Sequence, residues 1–264
     1  EKSLIVQNAH RINEGNSPVE GIMDIKNKTL PDYLFLEESD PENCVNKILE
    51  LCKNRIPIKY GLDPINEIQV ISPMQRGTLG VKNLNIALQE VLNPSIGSEN
   101  FNIGERTFRV GDKLIQTRNN YEKNIFNGDI GIIQSCDISN STIKVLYDSN
   151  LIEYSFNELD ELTHAFAITV HKSQGSEYPA VIIPLHTQHY PMLQRNLVYT
   201  ALTRAKKLVV FVGTKKAMSI AVQNGDVKQR YSLLSERLIY NLEGKIKNIN
   251  NADENELTYH PLEN

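Results

Sequence analysis

The sequence predicts an α/β fold with a parallel sheet, interrupted by a small all-β barrel. Two observations predict this class. Over residues 1–104 and again over 161–240, apolar strand patterns alternate with amphipathic helix patterns, as in parallel βαβ units. Between them, over residues 105–160, short β-branched and aromatic runs follow one another with no helical stripe. The 264 residues are enough for both parts to bury a core.

The first α/β part reads helix, strand, helix, strand, helix. Asp40 is a predicted N-cap, Pro41 takes the first helical position after it, and Gly15 ends the first helix. The last helix stops at Asn93, because the following Pro94 disfavours helical backbone before it. The predicted elements cover residues 3–15, 33–38, 40–54, 68–72 and 79–92.

The barrel segment consists of strand-like runs separated by turn signals. Asn127-Gly128 and the Asp-Ser-Asn run at 148–150 are typical of tight turns between antiparallel strands. The runs cover residues 106–117, 127–136, 141–148 and 151–156.

The α/β alternation then resumes with two strands, a helix, a third strand and two helical patterns. They cover residues 166–170, 181–185, 192–205, 207–213, 214–225 and 231–242. Residues 241–264 are polar and acidic, and we expect a frayed tail there.

Composition limits the class of protein. The sequence has no apolar run of about 18 residues that would predict a membrane span, and no signal-peptide pattern. The net charge of −4 argues against a protein that coats polyanions, but it allows a local basic groove. The three cysteines lack metal-type spacing and favour a reducing cytoplasm. Because helical pattern begins at once after Glu1, we expect a piece of a longer protein.

The stretch TVHKSQGSE, residues 169–177, follows the strand at 166–170. Ligands of open α/β sheets gather beyond the carboxyl ends of strands. Gly175 lets backbone N–H groups approach a phosphate, and Glu177 can accept hydrogen bonds from a ribose. A plain polar loop with a turn glycine is the alternative. The same stretch offers donors for phosphate oxygens of a nucleic-acid strand: Thr169, His171, Lys172 and Ser173.

Two arginines complete the candidate residues. Arg204 follows a helix with an apolar face, where it can stabilise charge on a transferring phosphoryl group or cap the helix carbonyls. Arg76 and Gly77 stand between a strand and a helix start, where free backbone N–H groups can face phosphate. An ordinary turn is the simpler interpretation of that second stretch.

Together these stretches resemble the later motifs of superfamily 1 DNA helicases, in particular the RecD-like group of the 5′→3′ branch, which includes the exodeoxyribonuclease V α-subunit. ISPMQRG followed by LGVKNLN resembles the fourth motif, VHKSQGSE the fifth and YTALTRA the sixth. FRVGDKLIQTRNNYEKNIFNGDIG resembles the opening of that group's inserted SH3-like barrel. The likeness runs from about residue 3 to residue 240.

The resemblance implies a RecA-like parallel sheet with helices on both faces, a P-loop NTPase-type fold without its own P-loop, carrying an SH3-like β-barrel. Residues 1–104 and 161–240 would form the second motor domain and 105–160 the barrel. The pair Gly244-Lys245 lacks the glycine spacing of a P-loop. ATP with Mg²⁺ would be bound mainly by an N-terminal RecA-like domain of the same parent chain, so we expect this chain alone to be inactive as an ATPase.

The resemblance also assigns roles to individual residues. Arg204 would be the catalytic arginine finger. Contacts to ATP would come from Arg76, Gly175 and Glu177. The single-strand DNA path would be lined by Thr169, His171 and Ser173.

The implied partners are single-stranded DNA and duplex junctions, in DNA repair and recombination in the bacterial cytoplasm, with no membrane. Whether the parent joins the subunits of a nuclease–helicase complex stays open.

Other functions are weighed against this one. His186 and His189 form an H-x-x-H pair, but no third ligand has metal-type spacing. A hydrolase triad within residues 171–177 is disfavoured, because residues so close in one loop seldom reach triad geometry. The main rival is a non-motor module that binds nucleic acid or protein. It would use basic residues around Tyr121 and Phe126, which equally fit a solvated face. They are Arg106, Arg109, Lys113, Arg118 and Lys123.

Overall fold

The computed structural model describes residues 3–20, 30–95, 100–103, 106–225 and 239. Apart from residue 239, these lie in one compact unit that spans Glu1–Gly225. The helical pattern at 231–242 and the polar tail at 241–264 fall outside the described residues, except at residue 239. In the described parts, no helix is long and apolar enough to cross a bilayer.

A five-stranded sheet in which all neighbours pair in parallel forms the centre of the unit. Its strands lie in the order β1-β12-β11-β2-β10. They are β1 (Tyr33–Glu37), β2 (Ile68–Ser72), β10 (Ala167–Thr169), β11 (Tyr178–Leu185) and β12 (Ala205–Gly213). The strand patterns predicted at 33–38, 68–72, 166–170, 181–185 and 207–213 are confirmed.

Helices cover both faces of this sheet. On β12, Val209 and Phe211 belong to one core, whereas Val210 and Val212 belong to the other, as the period of two along a strand requires. The first core includes α1 (Leu4–Asn13), α5 (Arg195–Leu202) and α6 (Lys215–Gln223). The second includes α2 (Pro41–Glu50), α3 (Ile56–Tyr60) and α4 (Val81–Leu92). The predicted α/β class with a parallel sheet is confirmed.

The helix boundaries follow local chemistry. Asp40 caps α2 as predicted, because its carboxylate accepts a hydrogen bond from the Asn43 backbone N at 2.8 Å. The helix predicted to end at residue 54 continues instead through a π-helical turn, Leu51–Arg55, into α3. It ends at Gly61, whose φ of 66° lies in the left-handed region.

The helix predicted over 192–205 is shorter in the structure. A 3₁₀ segment containing Pro191 occupies Thr187–Met192, and α5 begins only at Arg195. The Arg204 backbone carbonyl already accepts a hydrogen bond from the Tyr178 backbone N at 2.8 Å. The last residues of the predicted helix, Arg204 and Ala205, therefore pair with β11 at the start of β12 and are not helical.

A second sheet is antiparallel, with strands in the order β8-β7-β6-β5-β9. The strands are β5 (Lys113–Gln116), β6 (Ile130–Asp137), β7 (Thr142–Tyr147), β8 (Asn150–Ser155) and β9 (Leu162–His164). A separate hairpin joins β3 (Asn100–Ile103) to β4 (Arg106–Arg109). The predicted all-β insertion is thus a sheet with its own core, which includes Phe108, Val145 and Tyr154. Its boundaries as a domain, at 105 and 160, stay a prediction.

A buried polar network fastens this second sheet to α4. The Asp112 carboxylate is fully buried and accepts hydrogen bonds from the Gln89 and Asn93 side-chain amides, at 2.7 and 2.9 Å. His164 Nε2 lies 3.1 Å from the same carboxylate. A buried carboxylate needs such partners, because burying one unpaired is strongly unfavourable. The network therefore fixes where the insertion leaves and rejoins the α/β part.

Candidate functional site

The predicted site residues lie at two opposite edges of the parallel sheet. Tyr178 pairs with Ala205, so the residues before them, Glu177 and Arg204, lie at the amino edge. Thr169 pairs with Ser72 at the carboxyl edge. The strands that separate the two edges span roughly 20 Å, at about 3.3 Å per residue.

Arg204 folds back onto the end of α5. Its Nε donates to the Thr200 carbonyl at 3.1 Å, and its Nη1 donates to the Ser176 carbonyl at 3.2 Å. Its Nη2 lies 3.2 Å from the Thr203 hydroxyl oxygen. This is the carbonyl-capping role that the sequence left open. No carboxylate among the described residues forms an ion pair with the guanidinium, so its positive charge can still attract an anion.

The loop beside Arg204 is open to an approaching ligand. Gly175 has a φ of 86°, and a Cβ added there would meet nothing within 4 Å. Glu177 is exposed and its carboxylate lies 3.2 Å from Lys206 Nζ. Because exposed ion pairs stabilise by only about 0–1 kcal/mol, this pair can open at little cost. A backbone free to approach phosphate and a releasable carboxylate therefore adjoin Arg204.

The three predicted DNA contacts lie on the loop that starts from the carboxyl edge at Thr169, and they differ in exposure. Thr169 is half-buried and its Oγ1 accepts a hydrogen bond from the Lys172 backbone N at 3.3 Å. His171 is exposed. Ser173 is fully buried, and its hydroxyl donates to the Val170 carbonyl at 2.7 Å. The Ser173 side chain thus helps to fold the loop, and its contact with DNA stays a prediction.

Arg76 lies at this carboxyl edge as well, apart from Arg204. It is exposed in the turn after β2, which is closed by a hydrogen bond from the Ser72 hydroxyl to the Leu79 carbonyl at 2.6 Å. The turn is tight, since a Cβ on Gly80 would lie 2.5 Å from the Arg76 carbonyl oxygen. The structure therefore brings Arg76 close to the predicted DNA-contacting residues and away from the other residues predicted for ATP.

A groove of about 650 Å³ lies beside this edge, between α4, β10 and the antiparallel sheet. Its wall combines apolar side chains, such as Ile86 and Ile168, with Lys82 and Lys172. Burial lowers the pKa of Lys172. In the described residues, neither lysine side chain forms an ion pair or hydrogen bond, and the same holds for Arg76. Lys82 was not among the site residues predicted from the sequence; its one signal is its place near the start of the predicted helix 79–92, in the stretch LGVKNLN.

The basic residues of the insertion are engaged within the protein. The Arg118 guanidinium pairs with Asp160 at 2.5 Å, and Lys123 Nζ pairs with Glu158 at 2.6 Å. Arg109 pairs with Glu90, and Arg106 donates to backbone carbonyls. Lys113 is buried. Tyr121 remains 78% exposed and Phe126 43%, but no free cation among the five named in the sequence surrounds them.

His186 and His189 have structural partners. His186 Nε2 lies 3.0 Å from the Ser39 carbonyl, and the His186 backbone N donates to His189 Nδ1 at 3.3 Å. In the described part of the chain, no group of three or more His, Cys, Asp or Glu side chains is arranged to hold a metal ion. His189 Nε2 is buried without a hydrogen-bond partner there.

Burial of His189 predicts destabilisation by acid. Burial lowers the pKa of His189 to about 4, while an unfolded histidine has a pKa near 6.5. Between these values the unfolded state binds the proton and the folded state does not, so stability falls as the pH drops. We expect the free energy of unfolding to decrease by about 2 kcal/mol more between pH 7 and pH 5 in the wild type than in His189→Gln. Urea titrations at both pH values measure it, with exposed His10→Gln as control; equal pH dependence of wild type and His189→Gln would contradict the assignment.

Two family models match the chain. The ATP-dependent RecD-like DNA helicase SH3 domain matches residues 84–147, and the UvrD-like helicase C-terminal domain matches residues 164–212. The first covers most of α4 and the antiparallel insertion as far as the end of β7. The second covers β10 to β12, and therefore the loop from Thr169 to Glu177 and Arg204, but not the turn that contains Arg76.

Individual relatives agree with these models. The chain is 35% identical over 237 residues to the ATP-dependent RecD2 DNA helicase of Deinococcus radiodurans, covering 90% of this chain and 30% of that protein. It is 31% identical over 160 residues to the RecBCD enzyme subunit RecD of Haemophilus influenzae, covering 60% and 23%. A crystal structure of Pif1 helicase from Bacteroides with ADP-AlF3 and ssDNA is weakly similar, with 18% identity, a TM-score of 0.46 and coverage of 92% and 55%. The chain spans less than a third of the length of these two curated relatives.

Proposed function

We propose that the chain, which matches the RecD-like helicase SH3 and UvrD-like helicase C-terminal family models, forms the second motor domain of an ATP-dependent 5′→3′ DNA helicase. The observation that carries the proposal is the division of its polar residues between two edges of one sheet. Arg204 and Glu177 lie at the amino edge. Gly175 lies in the turn just before them, which is closed by a hydrogen bond from the Ser176 backbone N to the Ser173 carbonyl at 3.1 Å. Arg76 and Lys172, whose side chains form no ion pair or hydrogen bond within the described ranges, lie at or next to the carboxyl edge.

The amino edge fits a nucleotide. The Arg204 guanidinium has no carboxylate partner in the described residues, and the backbone at Gly175 is open to an approaching phosphate. Arg204 would leave the carbonyls of Thr200 and Ser176 and stabilise the charge that develops on the transferring phosphoryl group. Glu177 would accept hydrogen bonds from the ribose. When bound with Mg²⁺ by the first motor domain, ATP supplies the phosphoryl group whose hydrolysis drives the cycle.

The carboxyl edge fits the backbone of a single strand. Arg76, Lys82 and Lys172 can neutralise phosphates, and the apolar part of the groove can receive a base. The two motor domains would close when ATP binds and separate after hydrolysis. Because each domain would hold the DNA backbone in turn, the protein would step along the strand. Because the nucleotide edge depends on a partner domain, we propose that this chain alone does not hydrolyse ATP. The parent would work on single-stranded DNA or duplex junctions in the bacterial cytoplasm.

The test of the carboxyl edge is the double variant Arg76→Ala/Lys172→Ala in the full-length chain. We expect weaker single-strand binding, and a slope of log K against log salt that is shallower by about 1.4, since each phosphate contact adds about 0.7. Fluorescence anisotropy with a labelled oligonucleotide at several salt concentrations measures both. Lys59→Ala, an exposed lysine of α3, is the matched control. An unchanged slope in the double variant would show that this edge does not hold the strand.

A non-motor binding module is the second candidate, and the chain argues against its simplest form. The basic residues of the insertion that it would use are paired or buried. The two functions differ in the expected effect of replacing Arg204. The replacement should abolish ATP hydrolysis by a motor and should not affect a binding module.

A further inference from the structure

Lys113 is a buried cation that the proposed mechanism does not use. It is the first residue of β5 and is 3% exposed. Its side chain leaves the antiparallel sheet and enters the α/β part, where Nζ donates to the Ile65 carbonyl at 2.7 Å and lies 3.5 Å from the Ile68 carbonyl. No carboxylate in the described residues forms an ion pair with it. The ammonium is therefore held by carbonyl oxygens at the amino end of β2.

This placement is unfavourable for stability. Burial lowers the pKa of Lys113 to about 8, and the groups that act in the opposite direction are Cys52, on the π-helical turn, and Asp63. Taking an ammonium out of water costs free energy unless its partners compensate for the lost hydration, and the partners here are backbone carbonyls. A lysine of this kind is thus a candidate for a functional role.

Lys113 also reaches the edge that contains Arg204. Its Nζ lies 5.9 Å from the centroid of the Tyr178 ring, within the range of a cation–π contact. Tyr178 is the first residue of β11, and its backbone N donates to the Arg204 carbonyl at 2.8 Å. Arg204 in turn donates to the Ser176 carbonyl. A continuous series of contacts therefore joins the insertion to Arg204.

We propose that Lys113 is a positioning residue: it holds Tyr178, and through it Arg204, in a fixed relation to the antiparallel sheet. The inference rests on the proposed function, because it concerns the residue assigned there to phosphoryl transfer. Lys113 itself touches neither nucleotide nor DNA. Through Tyr178, the position of the antiparallel sheet therefore affects the position of Arg204 at the amino edge.

The test is Lys113→Met in the full-length chain, with single-strand-stimulated ATP hydrolysis and thermal unfolding measured on the same preparations. We expect kcat to fall about 10-fold to 100-fold, since a misplacement of about 1 Å can reduce a rate by that much. The KM for ATP, the affinity for the oligonucleotide and the melting temperature should be unchanged, or the melting temperature raised. Lys123→Met is the matched control, because its Nζ lies 4.3 Å from the Tyr154 ring inside the insertion. It should lower the melting temperature without changing kcat.

A pH profile separates positioning from a purely structural role. The wild-type kcat should fall above pH 8 as Lys113 loses its proton, and Lys113→Met should lack that step. The groups that face Lys113 and could titrate nearby are Cys52, Asp63 and Tyr178, and burial raises the pKa of Cys52 to about 12 and raises that of Tyr178. Cys52 and Tyr178 therefore do not account for a step near pH 8.

Three outcomes are distinguished by including Arg204→Ala in the same assay. Lost hydrolysis in Arg204→Ala together with the expected kcat loss in Lys113→Met supports both proposals. If Arg204→Ala loses hydrolysis but Lys113→Met keeps a normal kcat, only the role of Lys113 is overturned. The same holds if Lys113→Met loses kcat together with a lowered melting temperature. Full hydrolysis in Arg204→Ala overturns the proposed function and this inference with it.

Discussion

Replacing Arg204 by alanine in the full-length chain is expected to lower single-strand-stimulated ATP hydrolysis by about 10³–10⁵-fold, the range found for arginine fingers. The reason is electrostatic: the guanidinium adds positive charge where negative charge grows on the phosphoryl oxygens. In the present arrangement its three donor groups are satisfied by α5 and its neighbouring loop. Removing the side chain therefore leaves local carbonyls exposed to solvent, and the fold should persist. A steady-state assay with saturating oligonucleotide measures the change.

Lys207→Ala is the control for this variant, because Lys207 is an exposed residue of the same strand, β12. Its hydrolysis rate should equal that of the wild type. Oligonucleotide binding by Arg204→Ala should also be unchanged. Hydrolysis by Arg204→Ala at the wild-type rate would contradict the role of Arg204 as the arginine finger of the sixth motif. It would favour the binding module instead.

Replacing Gly213 by alanine is expected to have the largest effect on stability, a loss on the order of 4 kcal/mol, the upper end for single substitutions. Gly213 ends β12 with a φ of 151°, and an added Cβ would lie 1.9 Å from the Leu185 backbone oxygen. Its own carbonyl accepts a hydrogen bond from the Glu38 backbone N at 2.7 Å. Relief of the clash requires β11 and β12, two inner strands of the sheet, to separate at their carboxyl ends. Urea unfolding measures the change.

Gly61→Ala is the comparison that isolates the clash. Gly61 has a φ of 66°, and nothing lies within 4 Å of an added Cβ. Alanine there meets only the backbone strain of the left-handed region, about 1–2 kcal/mol. Equal losses for the two variants would mean that the sheet adapts to a side chain at position 213.

The elements of the α/β part could be predicted from the sequence because their signals are local. Asp40 and Pro41 mark a helix start whatever surrounds them, and the apolar residues of IQVIS define β2 to the residue. The π-helical turn after α2 was not predicted: the expected helix ended at residue 54, whereas the buried Ile56 lies beyond that end and the backbone stays helical to reach it. Packing against the sheet there overrides the weaker local preference.

The separation of Arg76 from Arg204 could be predicted, because a residue after one parallel strand and a residue before another lie at opposite ends of the sheet whatever the strand order. Which loops are neighbours at each end could not be predicted, because that depends on the strand order. The sequence also could not show which basic residues of the insertion form ion pairs. Whether Lys123 is free or paired depends on Glu158, which β8 and the segment after it bring back to its side.

The insertion also has a consequence for the order of folding. The edge strand β10 follows the insertion in sequence but pairs with β2, which precedes it. Bringing such distant segments together loses much chain entropy and slows folding. The contacts of Asp112 with α4 and of His164 with Asp112 hold the start and the end of the insertion together. We expect the antiparallel sheet to form first, because it then shortens the loop that must close between β2 and β10. The edge strand β10 should join the parallel sheet late in folding.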